Sequence, residues 1–471
     1  DQGDDSQGRG IVDTVAVYRD VTSWYHLVFV ADYANGTAAD RAKIYVNGVQ
    51  QELSTTRSFD NADGKLNDNQ IHEIGFTEYG QGYTGSNNWL NFFCGYMAEY
   101  HFVDGQSYDP TYFGFTDAHT GQWRPKKYEG THGTTGWYLP FTDNSSTAAL
   151  GYDKSGLVNT WTTNGFSVSA GSDNDSMLDI PTNNFSTLAG GIDDSGNVPE
   201  DGNLQGGTAG TSGWRHTRST VPLPSSGKWY WEYKVPDASA DGSNGWITGL
   251  AYSNFGFTQD INSDSTGLYG RQTENKYNNS SSDPTTGSHF STPSNNDILQ
   301  FAYDADSQTL FTGRNNTWEL SANPSTGANP NWTGVASGGF PMVGSYGSSR
   351  YVIINFGQQG FSYTPPTGYR ALNSKNLATP VTAEMTRPQR HFETLIYDGD
   401  GSASRDITGL EFRPDVVWIK NRSQASTHSW QDSIIGFGDD KTLRVDTSNA
   451  LDTNGNLYGY INHTLPNGFN V

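Results

Sequence analysis

Apolar residues along this chain occur in short runs separated by Gly, Asn, Asp and Ser. The runs are rich in Val, Ile, Tyr, Phe and Trp, and runs of roughly four to eight such residues between turn formers are typical of β-strands. No long stretch repeats its apolar positions at the helical period of about 3.6. The pair Asn47-Gly48 follows one run and predicts a two-residue hairpin turn. Strands are predicted at residues 24–30, 42–46, 229–235, 298–303, 351–356 and 415–419.

Turn-rich stretches divide the 471 residues into tandem domains. At roughly 100–200 residues per domain, the length predicts two to four of them. We expect β domains at residues 1–140, 211–375 and 391–471. Residues 141–210, rich in Gly, Asn and Asp, are expected to form a polar linker with short strands, and residues 376–390 a second linker.

The composition combines a low hydrophobic content, 34%, with a high aromatic content, 13%. Disordered chains are poor in aromatic residues, so this chain is expected to fold. Several small cores, each filled by Trp, Tyr and Phe, fit these values better than one large core. The expected fold class is all-β, with tandem β-sandwich (jelly-roll) domains.

The formal net charge of −22 makes binding to nucleic acid or to an anionic bilayer improbable, because the phosphates would be repelled. No run of about 18 apolar residues occurs, so membrane insertion is not expected. The single cysteine, Cys94, cannot form an internal disulfide. That usage fits a protein folded in a bacterial cytoplasm and exposed outside later.

Three segments of the first domain resemble the laminin G-like, or concanavalin A-like, sandwich family. They are residues 24–30 (Trp-Tyr-His-Leu-Val-Phe-Val), 43–48 (Lys-Ile-Tyr-Val-Asn-Gly) and 95–102 (Gly-Tyr-Met-Ala-Glu-Tyr-His-Phe). In that family an apolar strand with Trp and His precedes a Tyr-Val-Asn-Gly hairpin, and residues 95–102 look like the last core strand. Further strands precede the Trp in that family, so the resemblance implies an N-terminally incomplete domain.

The second domain resembles the SPRY, or B30.2, sandwich family in the order and spacing of its motifs. The matching segments are residues 227–233 (Gly-Lys-Trp-Tyr-Trp-Glu-Tyr), 245–250, 297–304 and 340–344. Residues 311–316 (Phe-Thr-Gly-Arg-Asn-Asn) stand where most members have a Lys-Asn-Gly turn. The resemblance implies the sandwich fold, and the peptide-binding surface of eukaryotic members is not carried over.

The whole order of motifs resembles large structural proteins of tailed phages, especially marine ones. Residues 105–106, 113–114, 125–128 and 412–422 (Phe-Arg-Pro-Asp-Val-Val-Trp-Ile-Lys-Asn-Arg) add to this likeness. The resemblance implies a non-enzymatic virion protein, made in the host cytoplasm and exposed on the virion surface. It would be a tail fibre or appendage that displays loops for host-surface glycans. Expected partners are other virion proteins, a host cell-surface glycan and further copies of this chain in a homo-trimer. The third domain would be C-terminally incomplete.

Two other functions stay open at this point. One is a capsid or tail decoration protein with a purely structural role. The other is a glycan depolymerase, which would need two carboxylates roughly 5–10 Å apart across a cleft. Glu73, Glu78 and Glu99 lie near aromatic residues, but the Glu-x-Asp-x-x-Glu spacing expected on one strand is missing. The sequence therefore favours a protein that is not an enzyme.

Two Gly-rich loops combine aromatic residues with amide or charged ones. An aromatic face stacks on the apolar side of a pyranose ring, while polar side chains bind its hydroxyls. Loops on a rigid sandwich commonly carry such sites. The candidate glycan-binding residues are Tyr79, Tyr83, Asn87 and Trp89 in the first domain, and Tyr269, Arg271 and Tyr277 in the second.

Two acidic turns are candidate calcium sites. One contains Asp304 and Asp306, and the other contains Asp398 and Asp400. Ca²⁺ takes roughly six to eight oxygen ligands, and paired Asp residues on a turn supply some of them. Neither stretch has the Glu that completes an EF-hand loop, and Asp also forms plain turns. Ca²⁺ is the one cofactor that these turns suggest, and plain turns are the favoured interpretation.

Overall fold

In the computed structural model, strands alternate with turns, and no α-helix occurs among the described residues. The short 3₁₀ turns include Ala38–Asp40, Pro110–Tyr112, Ala148–Gly151 and Glu319–Ser321. The expected all-β class is therefore confirmed. The structure describes residues 11–57, 67, 72–79, 89–93, 95–118, 120–189, 199–206, 214–238, 245–252, 267–271, 276–278, 281–282, 293–346, 351–377, 390–402, 404–423, 425–426, 428–438, 441–445 and 460–471.

The chain divides into two compact units. The first comprises the described residues up to 115 and those of 124–377, and the second comprises those of 116–123 and 378–471. Throughout the described ranges, no helix has the length and apolar character needed to cross a bilayer.

The N-terminal region consists of short antiparallel strands. They form five small sheets in the described part, ordered β1-β5, β2-β3-β4, β6-β7, β8-β11 and β9-β10. The strands are β1 Ile11–Thr14, β2 Leu27–Ala31, β3 Ala42–Val46, β4 Val49–Gln50, β5 Leu53–Arg57, β6 Phe76–Tyr79, β7 Trp89–Phe92, β8 Tyr100–Phe102, β9 Gly114–Thr116, β10 Trp123–Pro125 and β11 Trp137–Leu139.

The turn between β3 and β4 is the two-residue hairpin that the sequence predicts. Val46 pairs with Val49, and the φ angles of Asn47 and Gly48 are 49° and 80°. Two positive φ angles give the chain a twist that matches the flanking strands, and Asn-Gly adopts them at little cost. The Asn47 carboxamide also accepts the backbone N–H of His26 at 2.9 Å. The prediction of this turn is confirmed.

The second region of the first unit is a two-layer sandwich. One sheet has the order β12-β24-β14-β19-β20-β21, with β22 paired to β20 and β25 paired to β14, and the other has the order β13-β23-β15-β16-β17-β18. The strands are β12 Gln205–Gly206, β13 Trp214–Arg218, β14 Lys228–Val235, β15 Trp246–Ala251, β16 Gly267–Arg271, β17 Lys276–Asn278, β18 Ser281–Ser282, β19 Asp297–Asp304, β20 Thr309–Arg314, β21 Thr317–Trp318, β22 Trp332–Thr333, β23 Phe340–Tyr346, β24 Val352–Asn355 and β25 Arg370–Ala371.

Large aromatic side chains fill the core of this sandwich. Trp231 of β14 stacks on Phe301 of β19 with ring centroids 5.4 Å apart. The Tyr233 hydroxyl crosses to the other sheet and donates a hydrogen bond to the Met342 carbonyl at 3.0 Å. Each large aromatic side chain buries roughly 150–250 Å², so these rings supply much of the burial that holds the layers together.

The other face of β14 is buried as well. Glu232, which is 2% exposed, accepts hydrogen bonds from the backbone N–H groups of Ser362 and Tyr363 at 2.8 and 3.0 Å. The Tyr230 hydroxyl donates to the same carboxylate at 2.8 Å. One buried side chain thus holds a loop against the centre of the sheet.

Part of the segment predicted as a polar linker, 141–210, lies in the sandwich core. Phe185, Leu188 and Leu204 are buried in the same cluster as Trp231. They come from irregular stretches in which single apolar residues alternate with polar ones at no fixed period. The linker prediction is wrong for these residues, because their burial depends on contacts with strands distant in sequence.

Hydrogen bonds join the N-terminal region to this packed segment. The Trp24 indole N–H donates to the Asp179 carboxylate at 3.0 Å, and the Tyr96 hydroxyl donates to the Gly202 carbonyl at 2.9 Å. An added Cβ at Gly202 would lie 2.3 Å from the Tyr96 ring, which shows how closely the two pack. The N-terminal region and the sandwich therefore form one compact unit.

The second unit contains a three-stranded sheet ordered β26-β30-β29 and a hairpin of β27 and β28. The strands are β26 Asp406–Thr408, β27 Val416–Ile419, β28 Ser429–Asp432, β29 His463–Leu465 and β30 Gly468–Asn470. Its core consists of Ile407, Leu410, Val417, Ile461 and Phe469.

Candidate functional site

Two of the candidate residues of the first domain lie on the paired strands β6 and β7. Tyr79 ends β6 and Trp89 begins β7, and the two are direct cross-strand partners. Tyr83 and Asn87, in the connection between them, lie outside the described residues. The structure thus brings Tyr79 and Trp89 together at the base of the loop. Their glycan-binding role stays a prediction.

The candidate residues of the second domain lie on the sheet that contains β15 and β23. Tyr269 of β16 is the direct partner of Tyr277 of β17. Arg271, at the end of β16, is the partner of Ile247 on β15. The antiparallel register therefore places the two tyrosines opposite one another, with the arginine two positions further along the strand. Directly opposite residues of an antiparallel pair have Cβ atoms about 4.5–5.5 Å apart, and the glycan-binding role of these residues stays a prediction.

Asp304 and Asp306, the first candidate calcium pair, are engaged within a turn. Asp304 forms an ion pair with Lys228 at 3.1 Å and accepts the backbone N–H groups of Asp306 and Ser307 at 3.1 and 3.3 Å. Asp306 accepts the backbone N–H of Gly227 at 3.1 Å. Burial raises the pKa of Asp304, but the hydrogen bonds from Lys228 and Ser307 outweigh it and leave the pKa below its ordinary value. These contacts account for the acidic residues as parts of a turn.

The second acidic pair also shapes a turn. The Asp400 carboxylate accepts the backbone N–H and the hydroxyl of Ser402 at 3.0 and 2.6 Å, and Arg405 lies 3.6 Å from it. The Arg405 guanidinium also donates to the Asp398 carbonyl. In the described parts of the chain, no three or more His, Cys, Asp or Glu residues cluster closely enough to hold a metal. The observed geometry of both acidic pairs is that of plain turns. Calcium binding stays a prediction.

A histidine pair that sequence reasoning missed lies in the N-terminal region. His101 Nδ1 and His132 Nε2 are 3.1 Å apart, and the His101 ring stacks on Tyr138 at 4.2 Å. Burial, followed by the neighbouring His132 and His26, lowers the pKa of His101 to about 4. Burial also lowers the pKa of His132. Both rings are neutral at physiological pH, and they pack as aromatic core residues that share one hydrogen bond.

Glu99 contacts the same cluster. Its carboxylate accepts the Tyr138 hydroxyl at 2.6 Å, and its own φ is 54°. A left-handed backbone at a residue other than Gly costs energy and is maintained by its surroundings. The short hydrogen bond to Tyr138 is one contact that holds Glu99 in place.

An aromatic hairpin in the second unit was missed as well. Trp418 of β27 and Trp430 of β28 are direct cross-strand partners, with ring centroids 6.3 Å apart. Trp418 is 58% exposed, whereas its neighbour Val417 is buried. The apolar run at residues 416–419 indicates the strand. Nothing in the sequence shows that Trp430, after an intervening turn, pairs with Trp418.

Comparison with known proteins gives a family match for part of the second unit and similarity to solved structures. Residues 387–471 match a family described as "Domain of unknown function (DUF7483)". None of the curated proteins matches this chain.

Among solved structures, the chain is similar to the SPRY domain of human HERC1, with 19% identity and a TM-score of 0.27. That similarity covers 34% of this chain and 91% of that one. A second human SPRY domain is similar at 18% identity and a TM-score of 0.24, covering 32% of this chain and 90% of that one. These similarities concern the fold and carry no information about ligands.

Proposed function

We propose that this chain is a non-enzymatic part of a tailed-phage fibre or appendage that recognises host-surface glycans. The observation that carries the proposal is the cross-strand pairing of Tyr79 with Trp89 and of Tyr269 with Tyr277. Sugar recognition needs aromatic groups held at fixed separation beside hydrogen-bonding residues, and paired strands provide fixed separation.

The scaffold supports this role. Strand β14 is buried along most of its length, and its aromatic residues tie the two layers together. A rigid sandwich with variable loops is a common arrangement for recognition, because the core keeps its structure while the loop sequences vary. In a virion the chain would contact other virion proteins, and a homo-trimer would present several copies of each loop to a cell.

The decisive experiment measures binding of the 471-residue chain to intact candidate host cells, with extracted cell polysaccharide as competitor. We expect saturable binding that the polysaccharide removes and that the double variant Tyr269→Ala/Tyr277→Ala weakens at least tenfold. Tyr152→Ala is the matched control, because Tyr152 is an exposed tyrosine of the same unit and belongs to neither strand. Unchanged binding of the double variant, or equal loss in the control, would contradict the proposal.

A structural role in the particle is the second candidate, and one observation favours it. Leu27, Phe29 and Val49 on the β2-β3-β4 sheet are 67%, 48% and 63% exposed. Exposed apolar residues grouped on one element are typical of surfaces that pack against a neighbour. A folded sample that binds no host cell would support this role.

A further inference from the structure

The β27–β28 hairpin of the second unit has one buried side and one aromatic side. Val417 and Gln431, which are direct partners, are buried. The next pair along the ladder is Trp418 and Trp430, whose side chains lie on the opposite side of the hairpin because strand residues alternate. The two aromatic side chains thus lie side by side, with Trp418 exposed and Trp430 half-buried.

Hydrogen bonds fix the orientation of both indole rings. The Trp418 N–H donates to His428 Nδ1 at 3.1 Å, and the Trp430 N–H donates to the Asp432 carboxylate at 3.2 Å. The Asp432 carboxylate also accepts the backbone N–H groups of Ile434 and Ile435 at 2.9 and 2.8 Å, so its own position is held. A ligand that stacks on these rings therefore loses little free energy in ordering them.

The two rings form a shallow, angled platform. Their planes meet at 48°, and the His428 ring lies 5.5 Å from Trp418 at 38°. Lys420 follows two residues after Trp418 and is exposed. The Lys420 ammonium donates to the Ser426 carbonyl at 3.4 Å, which keeps it beside the hairpin.

The charges around the platform select among ligands that stack on aromatic rings. A cationic ligand is disfavoured because the Lys420 ammonium would repel it. A nucleic acid is disfavoured because the Asp432 carboxylate beside Trp430 and the net charge of −22 would repel its phosphates. An uncharged sugar is repelled by neither charge. Its apolar ring face can stack on the indoles while its hydroxyls bond to the Lys420 ammonium.

We infer that the Trp418–Trp430 platform is a binding site for an uncharged polysaccharide. This site is separate from the hairpins of the first unit and would give the chain a second contact with a glycan. Two weak sites on one chain strengthen attachment through effective concentration when both reach the same surface.

The test is electrophoresis of the full chain in gels that contain hydroxyethyl cellulose, dextran or yeast mannan, with alginate and a single-stranded oligonucleotide as charged probes. We expect retardation by at least one uncharged polysaccharide, and Trp418→Ala should weaken the apparent affinity at least tenfold. Trp418→Phe keeps an aromatic face and should retain more binding than Trp418→Ala. Phe392→Ala is the matched control, because Phe392 is an aromatic residue that is 77% exposed in the same unit.

The outcomes separate this site from the proposed function. In the background of the double variant Tyr269→Ala/Tyr277→Ala, Trp418→Ala should still weaken retardation, since Trp418 lies in the second unit. Absence of retardation in every uncharged gel would overturn the inference. So would binding to alginate or the oligonucleotide alone, or an equal effect of Trp418→Ala and Phe392→Ala. Near-ultraviolet circular dichroism of each variant confirms that a loss of binding is not a loss of fold.

Discussion

The indole N–H of Trp24 donates a hydrogen bond to the carboxylate of Asp179, 155 residues further along the chain. Asp179 is 7% exposed, and it also accepts the backbone N–H of Phe185 at 3.3 Å. A carboxylate with so little water around it prefers to be protonated. Burial accordingly raises the pKa of Asp179 to about 6, despite the two hydrogen bonds.

This relationship predicts a pH dependence of stability. The pKa of about 6 in the folded state exceeds the ordinary value of 3.8, so the folded state binds the proton first as pH falls. Asp179 therefore stabilises the fold increasingly as pH falls from about 7 towards 4, by on the order of 2–3 kcal/mol. Urea unfolding of Asp179→Asn at pH 7.5 and 5.0 should lack this gain. Asp40→Asn, at an exposed position, should behave like the wild type.

The His101–His132 pair predicts the opposite trend. The pKa of His101, about 4 in the folded state, lies below the ordinary 6.5, so the unfolded state binds the proton first. Stability is full above about pH 6.5 and falls as pH decreases towards 4. His101→Phe keeps a ring against Tyr138 and cannot titrate, so it should lose less stability between pH 7.5 and 5.0. An acid-induced loss as large as that of the wild type would exclude this origin.

Glu232 predicts a large effect from a small chemical change. Its carboxylate accepts two backbone N–H groups and one hydroxyl, whereas the Gln amide has a single acceptor oxygen. Glu232→Gln should therefore leave a buried donor without a partner and lower the free energy of unfolding by about 1–3 kcal/mol. Glu129→Gln, at an exposed position, should change it by under about 0.5 kcal/mol. Equal denaturation midpoints for the two variants would contradict this account of Glu232.

Two glycines of the second unit should differ sharply. A Cβ at Gly468 would lie 2.0 Å from the Ile407 carbonyl oxygen, on the strand paired with β30, whereas nothing lies within 4 Å of a Cβ at Gly399. Gly468→Ala must therefore distort the β26–β30 ladder, and we expect a loss of more than about 2 kcal/mol. Gly399→Ala should be neutral or slightly stabilising, because it restricts the unfolded chain. Thermal denaturation of both variants makes the comparison.

Local signals in the sequence account for the parts of the fold that were predicted. The Asn47-Gly48 turn depends only on the conformations that these two residues adopt. The strand at residues 229–235 depends only on its own β-forming side chains. The burial of Phe185 and Leu204 depends on strands far away in sequence, so composition alone marked that segment as linker. A contact between residues far apart in sequence produces no periodic pattern in the sequence around either residue.

The candidate sites likewise divide into those that local sequence signals identify and those that depend on long-range strand pairing. Gly-rich stretches with aromatic residues pointed to Tyr79 and Trp89, and the strand pairing places those two opposite one another. The partnership of Trp418 with Trp430 follows from the register of two strands, which turn length and packing determine together. Neither tryptophan had a sequence neighbour that marked it as part of a pair.

The packed segment between the N-terminal region and the sandwich has a mechanical consequence. A flexible tether would extend under a small force and let the two parts separate while each stayed folded. Here Trp24 and Tyr96 are bonded to the segment, and the segment is buried in the sandwich core. A force that pulls the two parts apart must break these hydrogen bonds and expose buried side chains before the chain can extend. The first unit therefore transmits tension as a stiff link.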